Sequence, residues 1–432
     1  MELEATPSNH SLYSLRRVAL FGPYVSRNLG DTATQMAVIQ NLRERRPELS
    51  ILGISPEPSD TLRTLGIATF PISGLGPSAG DLLPFEEYAP VTWTTSLRRP
   101  YSPVVICRIA RFVRTLDLLI VSGGGQLDDF WGGPWGHPWS MLLWTALAKS
   151  FGVPVVYLAV GLDGLNAKLS QRFSLLALRM ATRRLFRDTY SYDQLRALGL
   201  VKPSSVCPDL AFSLAIDLPK RQDKTPPLQR FAVISPISRE TWSHQETDIH
   251  VSYMDALTEV GRELALQGCI LRIVCSQTAM DIDDAQVLAN RLRSAGVSNV
   301  QVEDAPKVVD FIELVRGAEL VVASRLHAVI LALLAGCPVL ALAHLPKVKS
   351  VMCAIGLGGY CLPLQEVKIA SLCELARQAL ECNQELGEHI KRRVALFRAS
   401  LASIFDEVVA LSDASKRLQD KKSSAFQNNL AL

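Results

Sequence analysis

A chain of 432 residues, 48% hydrophobic and 20% charged, has the composition of a folded globular protein with room for two cores. This excludes the low-hydropathy, high-charge profile of a disordered chain. Its 45 basic and 42 acidic residues leave a net charge of +3, so no global field argues for nucleic acid and any anion site is local.

The nine cysteines are odd in number and lack CxxC spacing. That pattern suggests neither a disulfide framework nor a zinc cluster, but buried free thiols in a reducing cytoplasm. Residues 1–15 carry Glu2 and Glu4 and no apolar core, which reads as a disordered leader rather than a signal peptide.

In chain order, "RVALFG" (17–22) predicts a strand, followed by a loop and a helix over "DTATQMAVIQNLRERRP". "LSILGIS" (49–55), "LDLLIVSGGG" (116–125) and "VPVVYLAVG" (153–161) predict further strands, with helices over "PWSMLLWTALAKSFG" and "NAKLSQRFSLLALRMATRRLF". The second of these helices is basic on one face, either a solvated surface or a contact with an anionic membrane.

Short continuous Val/Ile/Leu runs alternating with helices are the mark of a parallel sheet covered on both faces. At 216–230, "IDLPKRQDKTPPLQR", charges and prolines replace the pattern and predict a linker. A second alternation follows, with strands at "FAVISPISR", "CILRIVCSQ", "AELVVAS" and "PVLAL". Gly336 and Pro338 divide the apolar stretch 327–345 into a helix and a strand, so it is not read as a membrane span.

The expected organisation is a Rossmann-like acceptor domain (16–215), the linker, a Rossmann-like donor domain (231–382), a C-terminal helix (383–415) and a disordered tail (416–432). The fold class is α/β, two doubly wound domains facing a cleft. Ligands of open α/β sheets sit beyond the carboxyl ends of the strands, so the residues that follow each apolar run are the candidates for function.

After the first strand, Asn28, Gly30 and Asp31 precede a helix whose free N–H groups can hold an anion, with Asp31 also able to cap it. In "SGGGQLDDFWGGPWGHPW" (122–139), Gly124 and Gly125 allow close backbone approach. Asp128, Asp129 and Trp131 offer the carboxylate and aromatic pairing that suits a sugar. The loop is neither a Walker A nor a dinucleotide fingerprint.

Arg239 ends the first strand of the second half. Arg325, Leu326 and His327 open the helix of "SRLHAVILALLAGCPVLAL". Arginine suits bidentate contacts with carboxylate or phosphate, and histidine at a helix start can donate a proton. The seven scattered histidines form no metal-ligand spacing.

These stretches, with "NLGDTATQMAVIQNL", "FRDTYSYDQLRALGL" and "VCPDLAFSL", resemble the polysaccharide pyruvyl transferase family across residues 17–350, most specifically in the RLH block. The resemblance implies a GT-B-like fold and transfer of pyruvate from phosphoenolpyruvate to two hydroxyls of a sugar, forming a cyclic ketal in cell-surface polysaccharide biosynthesis. It implies that Arg325, His327 and Arg239 contact phosphoenolpyruvate, a co-substrate, and that no further cofactor is required.

The donor carries a carboxylate and a phosphate on one small frame, for which two guanidiniums are an economical match. The chemistry then assigns His327 as general acid or phosphate partner and Asp31 or Asp128 as acceptor of a hydroxyl proton. The expected acceptor is a glycan or lipid-linked sugar, and the expected place is the cytoplasm, with peripheral contact at the inner membrane face. The segment 84–115 and the tryptophan-rich loop have no counterpart among the family's motifs.

Two other readings stay open: a GT-B glycosyltransferase using a nucleotide sugar, whose diphosphate the same cleft would serve, and a non-catalytic glycan-binding member.

Overall fold

The strand β1 (Arg17–Phe21) buries both of its faces, Val18 and Leu20 on one side and Ala19 and Phe21 on the other. Alternate side chains of a strand point to opposite faces, so helices must cover both. In the computed structural model, which describes residues 16–22, 28–75, 101–216, 229–239 and 247–430, this is what happens.

The first sheet adds β2 (Ser50–Ser55), β3 (Thr69–Pro71), β4 (Leu118–Ser122), β6 (Val155–Val160), β8 (Arg183–Phe186) and β9 (Ser205–Val206). Its strands are all parallel, in the order β3-β2-β1-β4-β6-β8-β9. β5 (Leu127–Asp128) and β7 (Leu162–Gly164) pair beyond its carboxyl end.

One face carries α1 (Leu29–Arg45), with α2 (Pro58–Leu65) beside it; α1 packs on a 3-10 turn at Leu210–Ser213. The other face carries α3 (Pro103–Val113), α4 (His137–Ser150), α5 (Lys168–Met180) and α6 (Thr189–Ala197).

The second sheet runs β12 (Val300–Glu303), β11 (Ile270–Val274), β10 (Phe231–Ser235), β13 (Val321–Ala323), β14 (Val339–Ala343) and β15 (Cys361–Pro363), again all parallel. Around it lie α7 (Thr247–Leu266), α8 (Thr278–Ser294), α9 (Val308–Val315), α10 (Leu326–Leu334), α11 (Pro346–Ala354) and α12 (Ile369–Glu381). Both sheets reverse strand order next to their first strand, at β1/β4 and at β10/β13. Such topological switch points are where open α/β sheets form crevices.

The last helix, α13 (Asn383–Leu430), begins against the second sheet's α10 and crosses to the first. There it buries Leu401, Phe405 and Val408 in the core shared with α1. Arg398 donates to the carbonyls of Phe212 and Leu214 at 3.0 and 3.2 Å, and Arg45 pairs with Asp406 at 2.7 Å. Arg16 and Arg183 pair with Asp413 and Glu407.

Three expectations change. "TRRLF", read as the end of a helix, is the strand β8, because Ala181 leaves helical geometry and the following residues pair with β6. Residues 416–430, read as a disordered tail, continue α13, since no Gly or Pro interrupts their helix-forming run. The free cysteines are not all buried: Cys107, Cys353 and Cys382 are exposed.

The leader, all but the ends of the linker, and 84–100 of the 84–115 segment lie outside the described residues; 101–115 supply α3. No helix of the described residues is long and apolar enough to cross a membrane.

Candidate active site

The two switch points face one another across a cavity of about 360 Å³. The first half lines it with Asn28, Asp31, Gly125, Asp128, Phe130, Trp131, Asp163 and Arg187. The second lines it with Ile237, Arg325, Leu326, His327, His344 and Lys347. Every one of these residues lies between the carboxyl end of a strand and the first turn of the helix that follows it.

Arg325 is the residue before α10, and it forks onto Asp281 in the first turn of α8, with Nη2 2.6 Å from Oδ1. Asp281 also accepts the Ser238 N–H at 2.9 Å, and Tyr253 bonds both Ser324 and the Ile237 N–H. The guanidinium is thus held rigidly, with a fraction of its surface facing the cavity: its side chain is 16% exposed and that of Asp281 is fully buried.

His327 lies against Gly30. A Cβ on that glycine would sit 1.9 Å from the imidazole Nδ1, so only glycine lets the histidine of one half reach the first helix turn of the other. Its Nε2 points to Asp209 Oδ2 at 3.7 Å. Asn28, rather than Asp31, caps α1: its Oδ1 accepts the Gly30 N–H at 3.0 Å while its Nδ2 donates to Asp31 at 2.9 Å. Asp31 therefore stands in the first turn, its pKa raised by burial against the opposing pull of His327 and Arg187.

The glycine loop is pressed onto α1. Gln35 and Ser122 exchange two hydrogen bonds, and a Cβ at Gly123 would strike Thr34 at 2.2 Å. Gly125 leaves room for Asp163, and Gly161 leaves room for Arg187. Arg187, its side chain 1% exposed, stands among Asp163, Asp188 and Asp209 at 3.5 to 3.7 Å. Burial alone would lower its pKa, but these carboxylates raise it.

Lys347, at the start of α11, completes the network by pairing with Asp163 at 2.8 Å. Asp209 keeps a pKa below the usual range: burial pushes it up, but His327, Arg187 and the Ala211 N–H outweigh that. Asp128 goes the other way. Burial first, then Asp163, raises it to about 7, where a carboxyl exchanges protons at neutral pH.

The structure therefore brings Asn28, Asp31, Gly125, Asp128, Trp131, Arg325, Leu326 and His327 to one cavity. Gly30 and Gly124 lie behind its wall: the first houses His327, and a Cβ on the second would sit 3.1 Å from Asp31. Asp129 is not in the lining; its carboxylate accepts the N–H groups of Asn166 and Ala167 and anchors the start of α5. Nor is Arg239, whose N–H is held by Asp284 at 2.8 Å while its side chain stays exposed.

Asp163, Arg187, Asp209, Asp281 and Lys347 were not anticipated. The signal for four of them was their place just past a strand or in a helix's first turn; Asp209, in the "CPD" turn, follows the short edge strand β9. Among the described residues no group of three His, Cys, Asp or Glu could hold a metal ion.

The polysaccharide pyruvyl transferase family model matches residues 28–346. The chain belongs to the polysaccharide pyruvyl transferase family. It is accordingly a transferase. A search of curated protein sequences finds no match.

Solved structures with a similar fold include the UDP-GlcNAc 2-epimerase of Neisseria meningitidis bound to UDP-GlcNAc, at 11% identity. That match covers 92% of this chain and all of the other, with a TM-score of 0.55. A putative UDP-N-acetylglucosamine 2-epimerase of Listeria monocytogenes matches at 12% identity over 96% and 98% of the two chains, TM-score 0.57. A spinosyn rhamnosyltransferase matches at 14% over 91% and 100%, TM-score 0.50. At such identities the likeness is one of fold, the two-domain GT-B arrangement.

Proposed function

We propose that this pyruvyl transferase moves the enolpyruvyl group of phosphoenolpyruvate onto two hydroxyls of a glycan sugar, serving cell-surface polysaccharide synthesis. The observation that carries the reading is a single cavity in which Arg325 and His327 of the second half face Asp31 and Asp128 of the first.

Protonation of the donor's methylene carbon makes a methyl group and leaves C2 cationic. One sugar hydroxyl then adds to C2, and the second displaces phosphate, so two C–O bonds form and one breaks. The hydroxyl protons leave through carboxylates.

In this assignment Arg325, kept in place by Asp281, binds the donor's anionic end. Arg239, exposed two residues beyond the lining residue Ile237, supplies a second guanidinium. His327 delivers the proton or binds phosphate, with Asp209 positioning it. Asp128, ionised above about pH 7, accepts a hydroxyl proton, and Asp31 is the alternative base. The acceptor ring stacks on Trp131 beside Phe130, which is 81% exposed at the cavity mouth.

The test is incubation of the protein with phosphoenolpyruvate and glycan precursors, measuring free phosphate and an acid-labile ketal. Full ketal-forming rate in His327→Ala would sink the role given to His327. The resemblance in fold to nucleotide-sugar enzymes keeps a glycosyltransferase as the rival, and release of a nucleoside diphosphate instead of phosphate would establish it.

A further inference from the structure

We propose that the outer face of α3, α4 and α5 docks the protein on an anionic membrane surface. These three helices form adjoining layers over one face of the first sheet, α3 on α4 and α4 on α5. Their inward side chains, among them Ile109, Phe112, Met141, Trp144 and Leu178, fill the core.

The three helices contain no Asp or Glu. Outward they present Arg111, Arg114, Lys149, Lys168, Arg172 and Arg179. Among the described residues none of these six is paired with a carboxylate. Arg114 lies over the Phe151 ring at 5.6 Å, and Arg179 donates to the Gly199 carbonyl. Among the described residues, the neighbouring helix α6 carries one exposed acid, Asp193.

Among the described residues these three helices expose charge of one sign only, in a chain whose overall charge is close to balanced, and this fits an anionic plane rather than general solubility. Apolar groups are interspersed: Val104 is 71% exposed, Leu176 47% and Phe151 37%. At the amino ends of α4 and α5, Trp135, 44% exposed, packs edge-on to Trp139 and Phe173.

Basic side chains around exposed aromatic and aliphatic groups match the charged headgroup layer and the boundary beneath it. The aromatic cluster is joined to Phe130 and Trp131 of the cavity lining by one short turn, in which the His137 N–H bonds the Trp131 carbonyl at 3.0 Å, so docking through it brings the lining loop near the lipid surface. The inference does not depend on the donor's identity.

The test is co-sedimentation with vesicles of phosphatidylcholine alone or with roughly one third phosphatidylglycerol. The native chain is expected to bind only the anionic vesicles and to be released at about 0.5 M salt. The triple variant Arg111→Glu, Arg172→Glu, Arg179→Glu is expected to partition at least about tenfold less, with unchanged thermal unfolding and unchanged phosphate release on a soluble acceptor. Trp135→Ala is expected to weaken binding without altering its salt dependence. Equal binding to neutral vesicles, no binding at all, native-like binding by the triple variant, or retention on a soluble polyanion without vesicle binding would each overturn the proposal.

Discussion

Asp209 Oδ2 and His327 Nε2 face each other at 3.7 Å across the boundary between the two halves, and neither atom has a hydrogen-bond partner among the described residues. A buried pair that stops just short of a hydrogen bond can position the imidazole, because catalytic hydrogen bonds are often long before substrate binds. Asp209→Asn is expected to lower kcat by roughly tenfold or more with a smaller change in KM for phosphoenolpyruvate, and Asp209→Glu to restore part of it. Equal loss in both parameters, tracking a lower melting temperature, would reduce Asp209 to a structural role.

Asp128 sets an expected pH dependence. With its pKa raised to about 7, the base form gains population as pH rises, so the rate climbs through neutrality, and Asp128→Asn flattens that limb while cutting activity about 10² to 10⁴-fold.

The same carboxyl sets a stability trend of defined sign. Because the folded state holds the proton more tightly than the unfolded one, native stability falls as pH rises from about 4 to 7. Asp128→Asn removes that cost. Its stability gain over the native protein should reach at most about 4 kcal/mol above pH 7 and vanish toward pH 4, read from denaturant midpoints.

Gly30→Ala tests the notch that houses His327. A methyl group 1.9 Å from the ring must displace it, so phosphate release should fall by about 10² or more for a stability loss of roughly 1 to 3 kcal/mol. Normal activity in Gly30→Ala would show that the imidazole position is immaterial.

Arg325→Ala leaves Asp281 buried without its partner, a change that costs about 3 to 5 kcal/mol. The variant should unfold at a visibly lower temperature as well as lose donor binding by calorimetry. Arg325→Ala combined with Asp281→Asn should regain stability but not binding, which separates the two effects.

The alternation of apolar runs and helices made the four central strands of each parallel sheet legible, since buried strands must be continuously apolar, while the short outer strands β3, β9, β12 and β15 escaped it. β8 escaped it too, because Arg183 and Arg184 break its apolar run. Arg184 is satisfied by the carbonyls of Leu178, Ala181 and Pro203, contacts that only the folded chain supplies. The RLH block and the Gly124–Asp128 loop could be read as a site because each follows a strand.

The network of Asp163, Arg187, Asp209 and Lys347 has the same position after strands, but nothing in the sequence shows that its members pair. Its members lie up to 184 residues apart in the sequence, and their charges make sense only when paired. Asp129 had the right residue type and the right strand end, and the structure gives its carboxylate to local anchoring instead; Arg239 has only its backbone N–H anchored, by Asp284, and its guanidinium is exposed outside the lining.

The crossing of α13 means that neither half of the chain is self-sufficient. The first sheet takes part of its cover, Leu401, Phe405 and Val408, from residues made after both sheets. During synthesis the amino-terminal half must therefore wait, with the face of α1 that receives Phe405 bare, until the carboxyl-terminal segment emerges. A fragment ending at residue 216 is expected to aggregate, and adding residues 383–413 in trans to rescue it.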